Sequence, residues 1–434
     1  MSDANAGRKP MMGLQNKARP ASRKKESAVP YYLVLAYLAL EFARPQTLVP
    51  SLQVLRLPAI TIVMIAASVL LSGKWTLKDK QTIVFLLILL EMIGHGPFAV
   101  NNYWAFQVFY SMVSTFIAYL GIITLVDSEE KFDNLVKFWI LVFVFLAIYG
   151  FFNAHLHLPK YKRYGFGVGG FVGDANDFCM ALNTILPVVI FGIFTAKDIV
   201  GKAYFIALVC LFLFIIILTE SRGGFIGMVS VGIYSWLKSG RKVILALLIG
   251  ALTIFVLAVA PANYWDEIQS IRTENTEANP HGTGAQRIYS WKLGWEMFKD
   301  NPIVGVGQGN YPWRVGEMEE KLGVDWKTRS IKGRAAHSLY FTLFPELGLL
   351  GTFLYGSFLY FCFKDLKRIR NLSKSNMSGK DADRAKKTYY VALALEGSII
   401  GFLVSSIFIS TLYYPVLWLL SAFVLSLKKV VIAA

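Results

Sequence analysis

Cysteine and histidine are scarce in this 434-residue chain, which limits the chemistry that it can perform. The three cysteines, Cys179, Cys210 and Cys362, lie inside or beside apolar runs. That setting predicts small buried side chains and fits neither a disulfide framework nor a zinc site. Two of the five histidines, His155 and His157, are two residues apart and would point to different sides of a helix. We therefore expect no redox centre, no metal ion held by histidines and no cofactor.

Charged residues are also few, and apolar residues dominate. The chain is 17% charged and 55% hydrophobic, with a mean hydropathy of +0.49. This composition is too apolar for a water-soluble domain of such length, and it predicts an all-α integral membrane protein. Apolar runs long enough to cross a bilayer as helices number about twelve. They are residues 32–50, 53–71, 82–99, 104–126, 136–152, 178–196, 203–219, 223–238, 242–260, 338–363, 389–409 and 411–427.

Lysine and arginine predict the orientation of these spans. They cluster before the first predicted span, after the second, sixth, eighth and tenth, and at the C-terminal end. Short basic loops face the cytoplasm, so both termini are expected there, and the net charge of +16 reflects topology and attraction to anionic lipid without nucleic acid. We expect a basic cytoplasmic tail at 1–30, nine spans in 31–260, a periplasmic loop with amphipathic helices at 261–336, and three spans in 337–434.

The outer segment 153–177 carries a basic cluster, a glycine-rich turn and the sequence GDAND. The cluster consists of Lys160, Lys162 and Arg163. We predict that it contacts an anionic substrate, although lipid headgroup anchoring explains it equally well. In GDAND, short polar side chains are typical of a helix N-cap. Asp174 and Asp177 also leave a divalent cation site open.

A single arginine, Arg222, stands at the outer end of two consecutive apolar runs in ILTESRGGFIGM. A guanidinium near hydrocarbon is costly unless it is paired or meets an anion. Glu220 is a candidate partner, and the neighbouring glycines have the spacing of close helix packing. These glycines are Gly223, Gly224 and Gly227. Helix packing with Arg222 at headgroup level and anion binding by Arg222 both remain open.

The outer loop contains GTGAQRIYSWKLGWEMFKDNPIVGVGQGNY, which predicts an amphipathic helix followed by a turn. Arg287, Trp291, Trp295 and Phe298 recur at helical spacing, so this helix is expected to lie against the membrane surface. Pro302 and the glycines after it end the helix. Because VGVGQGN does not follow a strand, it is no dinucleotide-binding fingerprint.

The stretch GRAAHSLYFTLFPELGLLG places His337 directly before an apolar run. Arg334 and Ser338 beside it are equally suited to helix capping or headgroup contact. More informative is that His337, Arg222 and Arg287 are all predicted on the same outer face. Two guanidiniums suit a pyrophosphate, and an imidazole suits proton transfer near neutral pH.

The blocks TESRGGFIGM, AQRIYSWKLGWEMFKDNPIVGVGQGNY and AAHSLYFTLFPELGLLG resemble, in order and spacing, the bacterial O-antigen ligase and polymerase family, polytopic glycosyltransferases of the GT-C class. The resemblance covers roughly residues 165–360. It implies that Arg222 and Arg287 stabilise a leaving pyrophosphate and that His337 accepts the proton of the attacking hydroxyl. We also predict Arg334, close to His337 in the sequence, as a substrate contact. Ser338 stands where the family often has asparagine.

The resemblance further implies the substrates and the location. The donor would be a glycan on undecaprenyl pyrophosphate, and the acceptor a lipid A core sugar, on the periplasmic face of the bacterial inner membrane. Direct attack implies inversion at the anomeric carbon without ATP. Polymerisation of the lipid-linked glycan and transfer to protein serine or threonine are the alternatives within the family.

A transporter or lipid-binding protein is the alternative from a different class. Transporters place ionisable residues near the bilayer midplane and show paired halves, whereas here the notable charges gather at one face. Four glutamates within apolar stretches are exceptions: Glu41, Glu91, Glu346 and Glu396. Glu41 with Arg44, and Glu91 with His95, have the spacing of local helix pairs, so we interpret them as structural.

Overall fold

The computed structural model describes residues 28–157, 169–243, 246–247, 250–251, 283–323, 330–379 and 381–432. In these ranges all regular secondary structure is helical, which confirms the predicted all-α class. The longer helices are α1 (Val29–Leu38), α2 (Leu57–Ser72), α3 (Lys80–His95), α4 (Asn102–Leu125), α5 (Glu129–His157), α6 (Ala175–Thr195), α7 (Ile199–Leu218), α8 (Arg222–Lys238), α9 (Thr283–Asp300), α10 (Tyr311–Lys321), α11 (Tyr340–Ser375), α12 (Ala382–Ser405) and α13 (Pro415–Ile432).

Within the described part of the chain, seven helices are long and apolar enough to cross a membrane: α4, α5, α6, α7, α11, α12 and α13. The apolar helices Val29–Ala43 and Leu57–Ser72 are shorter. The protein is therefore a multi-pass membrane protein. Helices α3 and α8 coincide with two further predicted spans, at 16 and 17 residues. Most of the ninth predicted span and of the N-terminal tail lies outside the described residues, so the total of twelve stays a prediction.

The first predicted span is not one uninterrupted helix, which corrects the prediction for residues 32–50. After α1 the chain forms a π-helical turn and then reverses at Arg44, whose φ is +48°. Short helical turns follow, each with proline at its first position, at Pro45–Leu48 and Pro50–Gln53. Proline disfavours a helical conformation in the residue before it, so the helix ends there. Glu41 lies within electrostatic range of Arg44, in agreement with the predicted pair.

Helix α6 lies at the centre of the bundle and packs against α7, α8 and α12. In its apolar window 83% of the residues are buried, against 33% for α7, so α7 is on the periphery. Asn183 of α6 donates hydrogen bonds to the Gly224 carbonyl at 2.9 Å and to Ser405 Oγ at 3.0 Å. A Cβ on Gly224 would lie 2.9 Å from Cys179 Cβ. Close helix packing by the glycines after Arg222 is thus confirmed.

The glycine-rich segment after α9 docks onto a kink in α11. The kink is at Gly348, where φ is +60° and ψ is −159°. The Val306 N–H donates to the carbonyl of Pro345 at 2.8 Å. A Cβ on Gly305 would lie 2.5 Å from the backbone of Glu346, so only glycine permits this approach. The VGVGQGN run therefore holds the outer segment against a membrane helix, as well as ending α9.

Glu346 joins three parts of the protein through one buried carboxylate, which is 1% exposed. It accepts hydrogen bonds from the backbone N–H of Gly309 at 2.7 Å and of Tyr311 at 2.9 Å. It also accepts one from the Tyr413 hydroxyl at 2.7 Å. Tyr311 begins α10, and a carboxylate at a helix N-terminus is favourable. Glu346 thus fixes α10 and the segment before α13 relative to α11.

We expect Glu346→Ala to destabilise the protein strongly. The substitution leaves two buried backbone N–H groups and a hydroxyl without their acceptor, at roughly 1–3 kcal/mol each. The free energy of unfolding should therefore fall by about 3 kcal/mol or more. Thermal unfolding in detergent measures the change, with Glu317→Ala, which removes an exposed carboxylate paired with Arg314, as the matched control. Equal midpoints for the two variants would contradict the role of Glu346.

The predicted pair between Glu91 and His95 is wrong. His95 Nε2 lies 2.6 Å from the carbonyl oxygen of Val304, and its Nδ1 lies 3.2 Å from Gln308 Oε1. Both ring nitrogens of His95 therefore contact the segment that follows α9, and neither contacts Glu91. The carboxylate of Glu91 instead faces α11, where a Cβ on Gly351 would lie 3.0 Å from its Oε1.

Candidate active site

A cavity of about 420 Å³ lies where the start of α6, helix α9, residues 331–337 and residues 408–414 meet. It brings together three residues that the sequence predicts for the site, Arg287, Arg334 and His337. The polar lining consists of Asp174, Asn176, Asp177, Gln286, Arg287, Ser290, Arg334, His337, Ser410 and Tyr414. A mixture of cations, an imidazole, carboxylates and hydroxyls suits a phosphate-bearing, hydroxylated ligand.

Helix α9 places Arg287 in the cavity by packing its aromatic side chains on α11. The Trp291 ring stacks on Phe341, with centroids 5.1 Å apart and planes 4° apart. The Phe298 ring lies 5.9 Å from that of Phe344. Two residues of the stripe thus pack against a membrane helix, whereas the predicted position of α9 against the membrane surface stays a prediction. Trp295 remains 46% exposed.

The two cations of the cavity are held by neighbouring side chains. The Arg287 guanidinium lies 5.9 Å from the centre of the Phe408 ring, a cation–π contact. Arg334 Nη1 donates to Gln286 Oε1 at 3.2 Å. Since Gln286 also lines the cavity from α9, this hydrogen bond joins residues 331–337 to α9 at the cavity.

His337 has a strained backbone that is fixed on both sides. Its φ is +50°, in the left-handed region that non-glycine residues rarely adopt. On one side, Trp291 Nε1 donates to the carbonyl of Ala336 at 3.1 Å. On the other side, the Leu339 N–H donates to the carbonyl of Ser406 at 2.9 Å. The backbone around His337 is thus held between α9 and the segment after α12, and the side chain lines the cavity and remains exposed.

The environment of His337 lowers its pKa below the ordinary value of 6.5. Partial desolvation in the cavity is the largest cause, and the positive charges of Arg287 and Arg334 act in the same direction. The negative charge of Asp174 opposes them. The imidazole therefore stays neutral, and able to accept a proton, to lower pH than an unperturbed histidine.

Arg222 is not among the residues that line the cavity, although it lies next to its wall. It is the first residue of α8 and is partly buried. The preceding Ser221 donates from Oγ to Asn176 Oδ1 at 2.8 Å. A Cβ on the following Gly223 would lie 3.2 Å from Phe408 Cβ. Both Asn176 and Phe408 line the cavity, so the residues on either side of Arg222 contact its lining.

The GDAND sequence caps a helix, as predicted, and it also forms a hydrogen bond with the segment before α13. Asp174 Oδ1 accepts a hydrogen bond from the Asn176 N–H at 2.8 Å at the start of α6, which confirms the N-cap. Asp177 Oδ2 accepts a hydrogen bond from the Tyr414 hydroxyl at 2.9 Å. Burial, and then the nearby Asp177 charge, raise the pKa of Tyr414 above its ordinary range, so its hydroxyl stays protonated.

Tyr414 was not predicted from the sequence. Its only signal there is a pair of tyrosines directly before a proline that begins an apolar helix. The basic cluster Lys160, Lys162 and Arg163 lies outside the described residues, so its predicted substrate contact stays a prediction.

Comparison with known proteins agrees with this geometry. The sequence model of the family described as O-antigen ligase matches residues 206–356, which contain Arg222, Arg287 and His337. A protein named O-antigen ligase from Salmonella typhimurium (strain LT2) is 24% identical over 287 residues, covering 64% of this chain and 68% of that protein. The matched residues run from α7 to the first half of α11 and thus include two walls of the cavity. Over these residues the chain is therefore similar to the O-antigen ligase family of membrane enzymes.

Proposed function

We propose that the protein transfers a glycan from undecaprenyl pyrophosphate to a lipid A core sugar on the periplasmic face of the bacterial inner membrane. The observation that carries this proposal is the cavity that joins Arg287 and Arg334 with His337 at one place. These residues come from segments about 50 positions apart in the chain, and the fold makes one site of them. The similarity of residues 206–356 to the O-antigen ligase family supports a lipid-linked donor.

The cations of the site suit the donor end of the reaction. When the bond between the anomeric carbon and the phosphate oxygen breaks, negative charge grows on the leaving undecaprenyl pyrophosphate. Arg287 lines the cavity and can hold two phosphate oxygens with parallel charge-assisted hydrogen bonds. Arg334 adds a second positive charge in the same cavity. We assign Arg222, whose neighbours Ser221 and Gly223 contact the lining residues Asn176 and Phe408, to the same leaving group.

The imidazole suits the acceptor end. His337 takes the proton of the attacking sugar hydroxyl, whose oxygen then forms the new bond to the anomeric carbon. Because the nucleophile attacks directly, the anomeric centre is inverted. No ATP is consumed, since the pyrophosphate linkage already activates the donor. The Tyr414 hydroxyl and the Asp177 carboxylate offer hydrogen bonds to sugar hydroxyls in the same cavity.

A reconstituted reaction tests this function. Purified protein is mixed with undecaprenyl-pyrophosphate glycan and lipid A core, without ATP and with EDTA present, and capped lipopolysaccharide is the expected product. Growth of the lipid-linked glycan alone would instead identify a polymerase. Glycan on a pilin-like protein, with none on lipid A core, would identify a protein glycosyltransferase. With none of these products, glycan transfer by this site would be refuted.

The proposed topology has twelve spans in a GT-C-like arrangement with the active site outside and both termini inside. Replacing Lys332, which is exposed near the cavity, by cysteine should give labelling by a membrane-impermeant thiol reagent in intact spheroplasts. A cysteine in place of the exposed Ser375, at the basic end of α11, should react only after the membrane is opened. Both changes are made in a chain without native cysteines. The reverse pattern would put His337 in the cytoplasm and exclude the proposed donor face.

A further inference from the structure

A second cavity, of about 250 Å³, lies at the other end of the bundle. Helix α6 connects the two cavities: Asp177 in its first turn lines the active-site cavity, and Thr195 at its end lines this one. The other walls come from α5, α7, α12 and α13. This is the end at which the lysine-rich loops predict the cytoplasm.

The walls of this second cavity are apolar. The aromatic lining consists of Trp139, Phe191, Phe205, Tyr390 and Phe423. Apolar walls of this kind suit an apolar ligand. The volume of the cavity equals that of roughly eight water-sized groups at about 30 Å³ each. This volume suits a stretch of hydrocarbon chain.

The cavity lies beside a lipid-facing surface. Leu141, next to the lining residue Ile140 on α5, is 59% exposed. Tyr204 and Ile206, on either side of the lining residue Phe205 on α7, are 54% and 38% exposed. Apolar side chains exposed on membrane-spanning helices face lipid, so an acyl chain can enter from the bilayer.

The mouth of the cavity carries positive charge. Lys387 forms an ion pair with Asp133, and Lys137, one turn further along α5, is exposed and has no ion-pair partner among the described residues. Arg241 lies within electrostatic range of the lining residue Tyr390. The lining thus holds two lysines against one carboxylate, and this net positive charge complements an anionic headgroup.

We propose that this cavity binds an anionic phospholipid of the cytoplasmic leaflet, with an acyl chain between α5, α6 and α12 and the phosphate at Lys137 and Lys387. The lipid then fills the space between helices that the protein leaves unpacked. This site is separate from the glycan-transfer site, and its test does not depend on transfer activity.

Lipid binding is measured on the purified full-length protein by native mass spectrometry during titration with phosphatidylglycerol or with phosphatidylethanolamine. The parent should bind phosphatidylglycerol more tightly. Lys137→Gln should weaken that binding about five-fold, which corresponds to about 1 kcal/mol for one basic side chain near an anionic lipid. It should leave phosphatidylethanolamine binding unchanged. The matched control is Lys367→Gln, an exposed lysine of α11 that does not line the cavity.

A second variant tests the acyl-chain part of the site. Ala394→Leu narrows the cavity from α12 and should weaken binding of both lipids. Because Ala394 is buried and its replacement can disturb folding, the exposed Lys137 decides the proposal by itself. Equal binding of the two lipids by the parent, or equal phosphatidylglycerol binding by Lys137→Gln and Lys367→Gln, would overturn it.

Discussion

His337→Ala is expected to transfer glycan about 100-fold or more slowly than the parent, the usual size of a general-base effect. The imidazole stands in the cavity with its backbone fixed by the bonds at Ala336 and Leu339, so the base is already in position. Binding of the pyrophosphate donor should stay nearly unchanged, because that end is proposed to be held by the guanidiniums of Arg287 and Arg334. A loss in the rate of the chemical step with little loss in donor affinity is the signature of a group that acts in the transition state.

The pH dependence of the parent should identify the same group. Only neutral imidazole accepts a proton, so transfer should be constant above the pKa of His337 and should fall as the pH drops through it. Because that pKa is lowered, the fall is expected below pH 6.5. Steady-state rates across this range measure it, and His337→Ala should lack this acid limb. A His337→Ala enzyme with full activity would remove the proposed base.

Hydropathy was sufficient to predict the helical class and most helix positions, because a span needs only length and apolar composition. It did not predict where the first helix ends. The helix ends at Arg44 because the following Pro45 disfavours a right-handed helical conformation there, and hydropathy does not register this effect. Nor could periodicity show that the stripe of α9 packs on α11. A stripe of aromatic residues looks the same whether lipid or another helix covers it, and the stacking of Trp291 on Phe341 decides between them.

The candidate site was predictable only in its charged residues. Arg287 stands out as the cation of an aromatic stripe at helical spacing, and His337 as an imidazole directly before an apolar run. Tyr414 does not stand out in the sequence, because its place in the site depends on a hydrogen bond to Asp177, which is 237 positions away in the chain. Glu346 likewise becomes important only through the backbone groups of Gly309 and Tyr311 that the fold brings to it. Contacts between distant segments carry this information, and a single sequence does not reveal them.

Arg287→Ala is expected to lower transfer by about 100- to 1000-fold, the cost of losing one preorganised donor to a developing negative charge. Arg287→Lys should recover little, because a lysine lacks the planar fork that holds two phosphate oxygens. The matched control is Lys292→Ala, which removes an exposed cation from the same helix but does not line the cavity. Arg222→Ala and Arg222→Lys should follow the same pattern if Arg222 acts on the same leaving group.

The pH profile separates this electrostatic role from a structural one. The positive charge of Arg287 helps to lower the pKa of His337, so removing it should raise that pKa. The fall in residual activity of Arg287→Ala at low pH should therefore begin at a higher pH than in the parent. A variant that merely misfolds would lose activity at every pH without this shift. Arg287→Lys keeps the charge, so its acid limb should stay near that of the parent even though its rate is low. Turnover like that of the parent in both Arg222→Lys and Arg287→Lys would contradict binding of two phosphate oxygens by each guanidinium. A positive charge at each position would then be sufficient for transfer.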